Sequence, residues 1–253
     1  MYSYIEQVGL GAALNLGLLL PLFLVAFGTS RHRKAAAMPV LLFVVLFTLD
    51  MALVFSFKLY EFIPAWGHWN WQGKLLEAAW PVALALLVPV AFPPKEMGLV
   101  LPAEPKRSGR VLLICCVLYA LIGIPLMLLM GAHFGISGDL PTFAYEATMP
   151  GLGEELVYRG ALLMLLNQAF GRPWKLAGIQ FGWGFIIVTF MFGFLHGVGI
   201  QPGHSPLIVV SWVGMLFPLI TGAVLAWIRE RTGSVWPGVL FHNFVNVLNH
   251  FLV

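Results

Sequence analysis

The 253-residue sequence predicts an all-α, polytopic membrane protein, with about eight transmembrane helices enclosing a polar active-site cavity within the bilayer. Three observations lead there. Hydrophobic residues make up 60% of the chain and charged ones only 10%, with 20 Phe and 9 Trp, and the mean hydropathy is +0.88, a balance that leaves too little polar surface to coat a soluble domain. Apolar runs approaching or exceeding about 18 residues recur along the whole length, separated by short loops of Gly, Pro and cations. Several of the ionisable residues inside those runs gather in short motifs at helical spacing, and such residues at membrane depth mark functional sites. Residues 1–253 therefore read as a single integral membrane domain, with a motif-bearing part at about 145–253.

The N-terminal Met1-Tyr-Ser-Tyr-Ile-Glu-Gln7 lacks a basic leader and a small-residue cleavage site, so the first apolar run is expected to be kept as a span. It covers about 8–27 and stops at Arg31-His-Arg-Lys34. A second span, about 38–63, carries Asp50 and Lys58, expected to face neighbouring helices or to snorkel. The Trp-rich Pro64–Gln72 belongs at headgroup level, with His68 as an interfacial residue. Span three, about 75–92, leads into Pro93-Pro94-Lys95 and the longest basic connection. Span four, about 111–132, contains Pro125, where a kink is expected. A Gly- and Pro-containing connector, 133–150, precedes span five at about 153–170, which stops at Gly171-Arg-Pro. Spans six, seven and eight follow at about 176–198, 206–228 and 235–252. No internal repeat supports an inverted-repeat transporter. Cys115 and Cys116, adjacent in an apolar run, read as packing residues.

The net charge of +3 does not signal nucleic acid, because the cations lie in loops where they set topology. In an eight-span arrangement Arg31, Arg33, Lys34, Lys95, Lys106, Arg107, Arg110, Arg172, Lys175, Arg229 and Arg231 share one face, against Lys74 on the other. The positive-inside rule makes the first face cytoplasmic and puts both termini outside, in a bacterial cytoplasmic membrane. Glu154, His196, His242 and Asn246 then reach the outer half of the bilayer from three helices.

Gly151-Leu-Gly-Glu-Glu-Leu-Val-Tyr-Arg-Gly160 heads the fifth span. Glu155 and Arg159 are i and i+4 with the acid first, the favourable order for an ion pair. Glu154 projects about a hundred degrees away and is free for chemistry, strengthened as a base by burial. His242 and Asn246 share a helical face and could both donate to one oxygen, as an oxyanion hole requires. Glu154 and His196 could hold and deprotonate a water. No Ser or Cys nucleophile accompanies them, so direct attack by water is the simpler chemistry. Tyr158 is expected to pack, and His32, His68, His133, His204 and His250, at loops or helix ends, are expected to be structural.

Glu154-Glu155-x-x-x-Arg159, Phe192-x-x-x-His196 and His242-x-x-x-Asn246, in that order on membrane helices, resemble the CPBP intramembrane proteases, which include CAAX-prenyl endopeptidases, bacteriocin-processing and immunity proteins, and sorting peptidases. The resemblance covers about the C-terminal hundred residues. It implies a glutamic-type endopeptidase: Glu154 and His196 activate water, His242 and Asn246 stabilise the oxyanion, and Glu155 and Arg159 support the site. The substrate would be a membrane-associated protein or lipidated peptide in contact with the bilayer, and no cofactor or nucleic acid is expected. An outward-facing site is more similar to the bacterial sorting branch, which would remove a C-terminal anchor, than to the prenyl-processing one. Three alternatives remain open at this point: a zinc site of Glu154, His196 and His242 in a CAAX-type prenyl protease, a non-catalytic immunity or scaffold protein of the same fold, and a transporter using these residues as a relay.

Overall fold

A computed structural model describes residues 4–30, 33–64, 66–131, 133–135, 139–201 and 207–251; Arg31, His32 and His204 lie outside them. Among the described residues eight helical rods follow one another: α1 (Tyr4–Thr29), α2 (Arg33–Val54) and α3 (Trp71–Leu87), then, after the single turn α4 (Pro94–Met97), α5 (Pro105–Leu129). A short helix α6 (Leu140–Glu146) precedes α7 (149–170), and the hairpin β1 (Trp174–Leu176) and β2 (Ile179–Phe181) leads into α8 (Trp183–Gly197). A second hairpin, β3 (Val198–Ile200) and β4 (Ile208–Val210), then hands over to α9 (Trp212–Thr232) and α10 (Trp236–His250). The protein is a polytopic all-α membrane protein. Four rods, α1, α2, α5 and α9, are both long and apolar enough to cross a bilayer unaided. The two histidine-bearing rods, α8 and α10, have 15 residues each, or about 22 Å of helix, short of the roughly 30 Å hydrocarbon layer. His196 sits in the last turn of α8.

α7 is the centre. Every residue from Gly153 to Asn167 is buried, because this rod carries Glu154, Glu155 and Arg159, which cannot face lipid and must be wrapped by other helices. Its middle, Glu155–Leu162, is wound as a π-helix, a local widening that recurs at functional sites. A second π turn, Tyr119–Gly123, stands just before Pro125 in α5, where the missing N–H and the ring of proline spoil the regular ladder. The irregularity expected at Pro125 takes this form.

Several predicted boundaries move, each for a local reason. The second span ends at Val54 rather than near residue 63. Asn70 donates to the Val54 carbonyl, and Gln72 accepts the N–H groups of Phe62 and Ile63 while donating to the Tyr60 carbonyl. Side chains of the next helix therefore hold this apolar stretch as a loop, and Lys58 lies in a 3-10 turn outside the span. The sixth span starts at Trp183, not 176. Ala177 and Gly178 both have positive φ, 49° and 75°, the two-residue turn that closes a hairpin with Trp174 opposite Phe181. The connector 133–150 contains α6, capped by Asp139, whose carboxylate accepts the Thr142 N–H and hydroxyl and is held below the usual carboxylate range by those bonds. Tyr145 of α6 stacks on Trp69 at 4.7 Å, tying α6 to the Trp-rich loop.

The rods alternate, so Arg33, Lys34, Lys95, Lys106, Arg107, Arg110, Arg172, Lys175, Arg229 and Arg231 fall at one end. Cross-links join that end: Arg229 to the Glu96 carbonyl, Arg172 to Glu230 at 2.9 Å, and Trp183 to Thr29.

Candidate active site

Two glycines let two helices, α10 and α3, close on the head of α7. A Cβ at Gly151 would come 2.3 Å from Asn243 Oδ1 and 2.7 Å from the Val239 carbonyl of α10, and one at Gly153 would come 2.4 Å from Glu77 Oε2 of α3. Gly151 N–H donates to Asn243 Oδ1 at 2.8 Å, fastening the contact. Gly153→Ala is expected to lower stability by about 1–3 kcal/mol, read as a fall in melting temperature of the detergent-solubilised protein; unchanged melting would mean that α3 can draw back from α7 at no cost.

The ion pair predicted along α7 is present, with Arg159 Nη1 2.9 Å from Glu155 Oε1 and both side chains fully buried. The same oxygen lies 2.9 Å from His242 Nδ1. A carboxylate only accepts, so His242 Nδ1 carries the proton and Nε2 turns to the cavity. His196 is fixed similarly, its Nδ1–H donating to the Phe192 carbonyl at 2.7 Å, which leaves Nε2 as the free nitrogen. Phe192 lies beneath the whole group: its ring is 4.5 Å from His196, 5.7 Å from His242 and 4.3 Å from the Arg159 guanidinium, the last a cation–π contact.

Glu154 Oε2 lies 4.0 Å from His196 Nε2 and 3.9 Å from His242 Nε2. These separations exceed a hydrogen bond, and all three atoms present lone pairs. The arrangement suits a small proton donor bridging them, and water has the right size and two protons to give. Two cavities border this group. One, of about 440 Å³, is lined by His196, His242, Asn246, Tyr119 and Phe217 among others; the second, of about 490 Å³, is lined by Glu154, His196, Lys74, Glu77, Asp50 and residues of α1. His196 borders both, and its side chain is 38% exposed against 11% for Glu154 and 6% for His242. Asn246 shares the first cavity with the histidines but is bonded to Glu146 rather than placed against Glu154. Burial, with the nearby Glu154 charge, pushes the Glu146 carboxyl above its ordinary value, against the pull of His242, Lys74 and the Asn246 bond.

Lys74 is the residue that sequence reasoning missed. Its ammonium lies 2.6 Å from Glu154 Oε1 and 2.7 Å from Glu77 Oε2, so it is not a loop cation but a buried ion-pair partner of both carboxylates. Asp50, buried nearby, accepts from Trp80 Nε1 at 2.9 Å. The available signal was Lys74 and Glu77, i and i+3 in an otherwise apolar helix, where each must find a partner.

The Glu154, His196 and His242 set has the donor types of a zinc site, yet ligands 2.0–2.1 Å from a tetrahedral zinc stand about 3.3 Å apart, closer than Glu154 stands to either histidine. The Lys74 ammonium, already on Glu154, would also repel a dication.

Residues 136–248 match the family model described as Type II CAAX prenyl endopeptidase Rce1-like. This stretch is similar to the Rce1-like family. The match supports a CAAX-type intramembrane peptidase in general. The Rce1-like segment contains Glu154, Glu155, Arg159, His196, His242 and Asn246, so the three motifs and the family match fall on the same part of the chain. Lys74 and Glu77 precede the matched segment, and α3 brings them to the Rce1-like residues from outside it. No curated protein and no solved structure matches the chain.

Proposed function

We propose that the chain is a glutamic-type endopeptidase that hydrolyses a peptide bond of a membrane-associated protein with a water held between Glu154 and His196. The observation that carries this reading is the meeting of Glu154 Oε2 with His196 Nε2 at 4.0 Å and His242 Nε2 at 3.9 Å, from three helices, beside two cavities that His196 borders. Glu154 takes a proton from the water as its oxygen attacks the scissile carbonyl carbon. The carbonyl oxygen becomes an oxyanion. Asn246 donates to it from its amide, and His242, oriented through its Nδ1–H by Glu155, holds at Nε2 a water that donates to it as well. The proton on Glu154, passed directly or through His196, goes to the leaving nitrogen as the C–N bond breaks, giving a new carboxyl and a new amine. Arg159 fixes Glu155, and Lys74 pairs with Glu154 and aims it.

With both termini outside by the positive-inside rule, the site opens to the outer half of the membrane. The substrate is then a membrane protein or exported peptide on that side, and removal of a C-terminal sorting anchor fits best. The test is a mass-spectrometric comparison of membrane-protein C-termini in cells carrying the intact chain or Glu154→Gln. New C-termini present only with the intact chain are expected; identical sets would defeat the reading. Lys74→Met is expected to lower the yield of those termini about tenfold or more while the protein accumulates normally; full yield would show that Glu154 needs no ammonium beside it.

A further inference from the structure

The β3–β4 hairpin begins two residues after His196, and its register decides which of its backbone groups are engaged. Val198 stands opposite Val210, Gly199 opposite Val209 and Ile200 opposite Ile208. Gln201 N–H donates to the Leu207 carbonyl and Ser211 N–H to the Gly197 carbonyl, each at 2.8 Å. Hydrogen-bonded and non-bonded pairs alternate in an antiparallel ladder. Gly199 is therefore the residue of β3 that bonds to β4, and the N–H and C=O of Ile200, with the C=O of Val198, point away from β4. The Val198 N–H is taken by the Phe194 carbonyl at the end of α8.

That outer edge faces a cavity. Val198, Gly199 and Ile200 line the 490 Å³ space that also holds Glu154, His196 and Lys74, with Leu10, Gly11 and Leu14 of α1 across from them; no residue of β4 lines it. A Cβ at Gly199 would meet nothing within 4 Å, so the strand presents an unobstructed face there. An unpaired edge opening into a peptidase cavity two residues beyond a catalytic histidine offers main-chain hydrogen bonds to an extended peptide.

We propose that β3 is the substrate-binding strand: the substrate's main chain adds to the outer edge at Ile200 in extended conformation, which carries its scissile bond to Glu154 and His196. This inference rests on the endopeptidase reading and deepens it. A helix has its N–H and C=O groups bonded internally and cannot pair with an edge, so the substrate class is a segment that is already extended or unwinds at the cleavage point. Recognition through the backbone also makes the site tolerant of side-chain sequence near the scissile bond.

Matched prolines test this on the two edges of one hairpin. Ile200→Pro removes the N–H on the cavity edge, and Val210→Pro removes the equivalent N–H on the far edge of β4; proline is tolerated at either, since neither N–H serves the ladder. The readout is the yield of Glu154-dependent C-termini in the membrane proteome, with Glu154→Gln as the reference for none. Ile200→Pro is expected to reduce that yield about tenfold, and Val210→Pro to keep it within about twofold. Equal yields for the two prolines, both intact or both lost, would overturn the strand reading while leaving the endopeptidase intact. If Glu154→Gln itself changes no terminus, the endopeptidase reading fails, and this inference with it.

Discussion

Arg159→Leu is expected to destabilise the protein by about 3–5 kcal/mol, the cost of leaving a buried charge without its partner. Both side chains of the Arg159–Glu155 pair have no solvent exposure, and Arg159 also donates to the Gly222 carbonyl at 3.2 Å. Without the guanidinium, the Glu155 carboxylate keeps only the His242 N–H. The double variant Glu155→Leu with Arg159→Leu is expected to recover part of that loss, because no buried charge remains, and yet to be inactive, because His242 Nδ1 then has nothing to donate to and its Nε2 is no longer aimed. Thermal melting in detergent measures the first effect and substrate hydrolysis the second. Equal stability of the single and double variants would contradict the pairing, and an active double variant would remove Glu155 from its orienting role.

His242→Ala and His196→Ala are each expected to lower turnover by about 100- to 10,000-fold, the range for losing a general acid–base group or an oxyanion donor. Their structural costs should differ. His196 bonds only within its own helix, to Phe192, and is 38% exposed, so His196→Ala should melt near the intact protein. His242 is buried and shares Glu155 Oε1 with Arg159, so His242→Ala should melt lower. Combining either with Glu154→Gln is expected to add little further loss, since groups that act as one unit are strongly non-additive. Multiplying losses, measured as single-turnover rates, would mean that the residues act at separate steps.

The membrane class, the helical rods and the CAAX-protease likeness were legible in the sequence because they rest on composition and on i, i+3 and i, i+4 spacings, which are local. The two hairpins were not. Leu176–Phe181 reads as the start of an apolar span, and only the Ala177-Gly178 turn marks it as a hairpin. The end of α2 was hidden for a related reason: the bonds that hold 55–63 out of the helix come from Asn70 and Gln72, many residues on. Lys74 shows the same limit at the site. Counting loop cations by side treats it as a loop cation at the end of α3, but its ammonium turns to Glu154, 80 residues away, and no spacing rule reaches that far.

The most direct test of the central claim uses the purified protein in liposomes, with a membrane peptide bearing one of the Glu154-dependent C-termini and an excess of chelator. Water activated by Glu154 and His196, with no metal in the reaction, predicts that the intact protein releases the new C-terminus under these conditions and that Glu154→Gln, equally folded, does not. Release by Glu154→Gln at the rate of the intact protein would contradict the account.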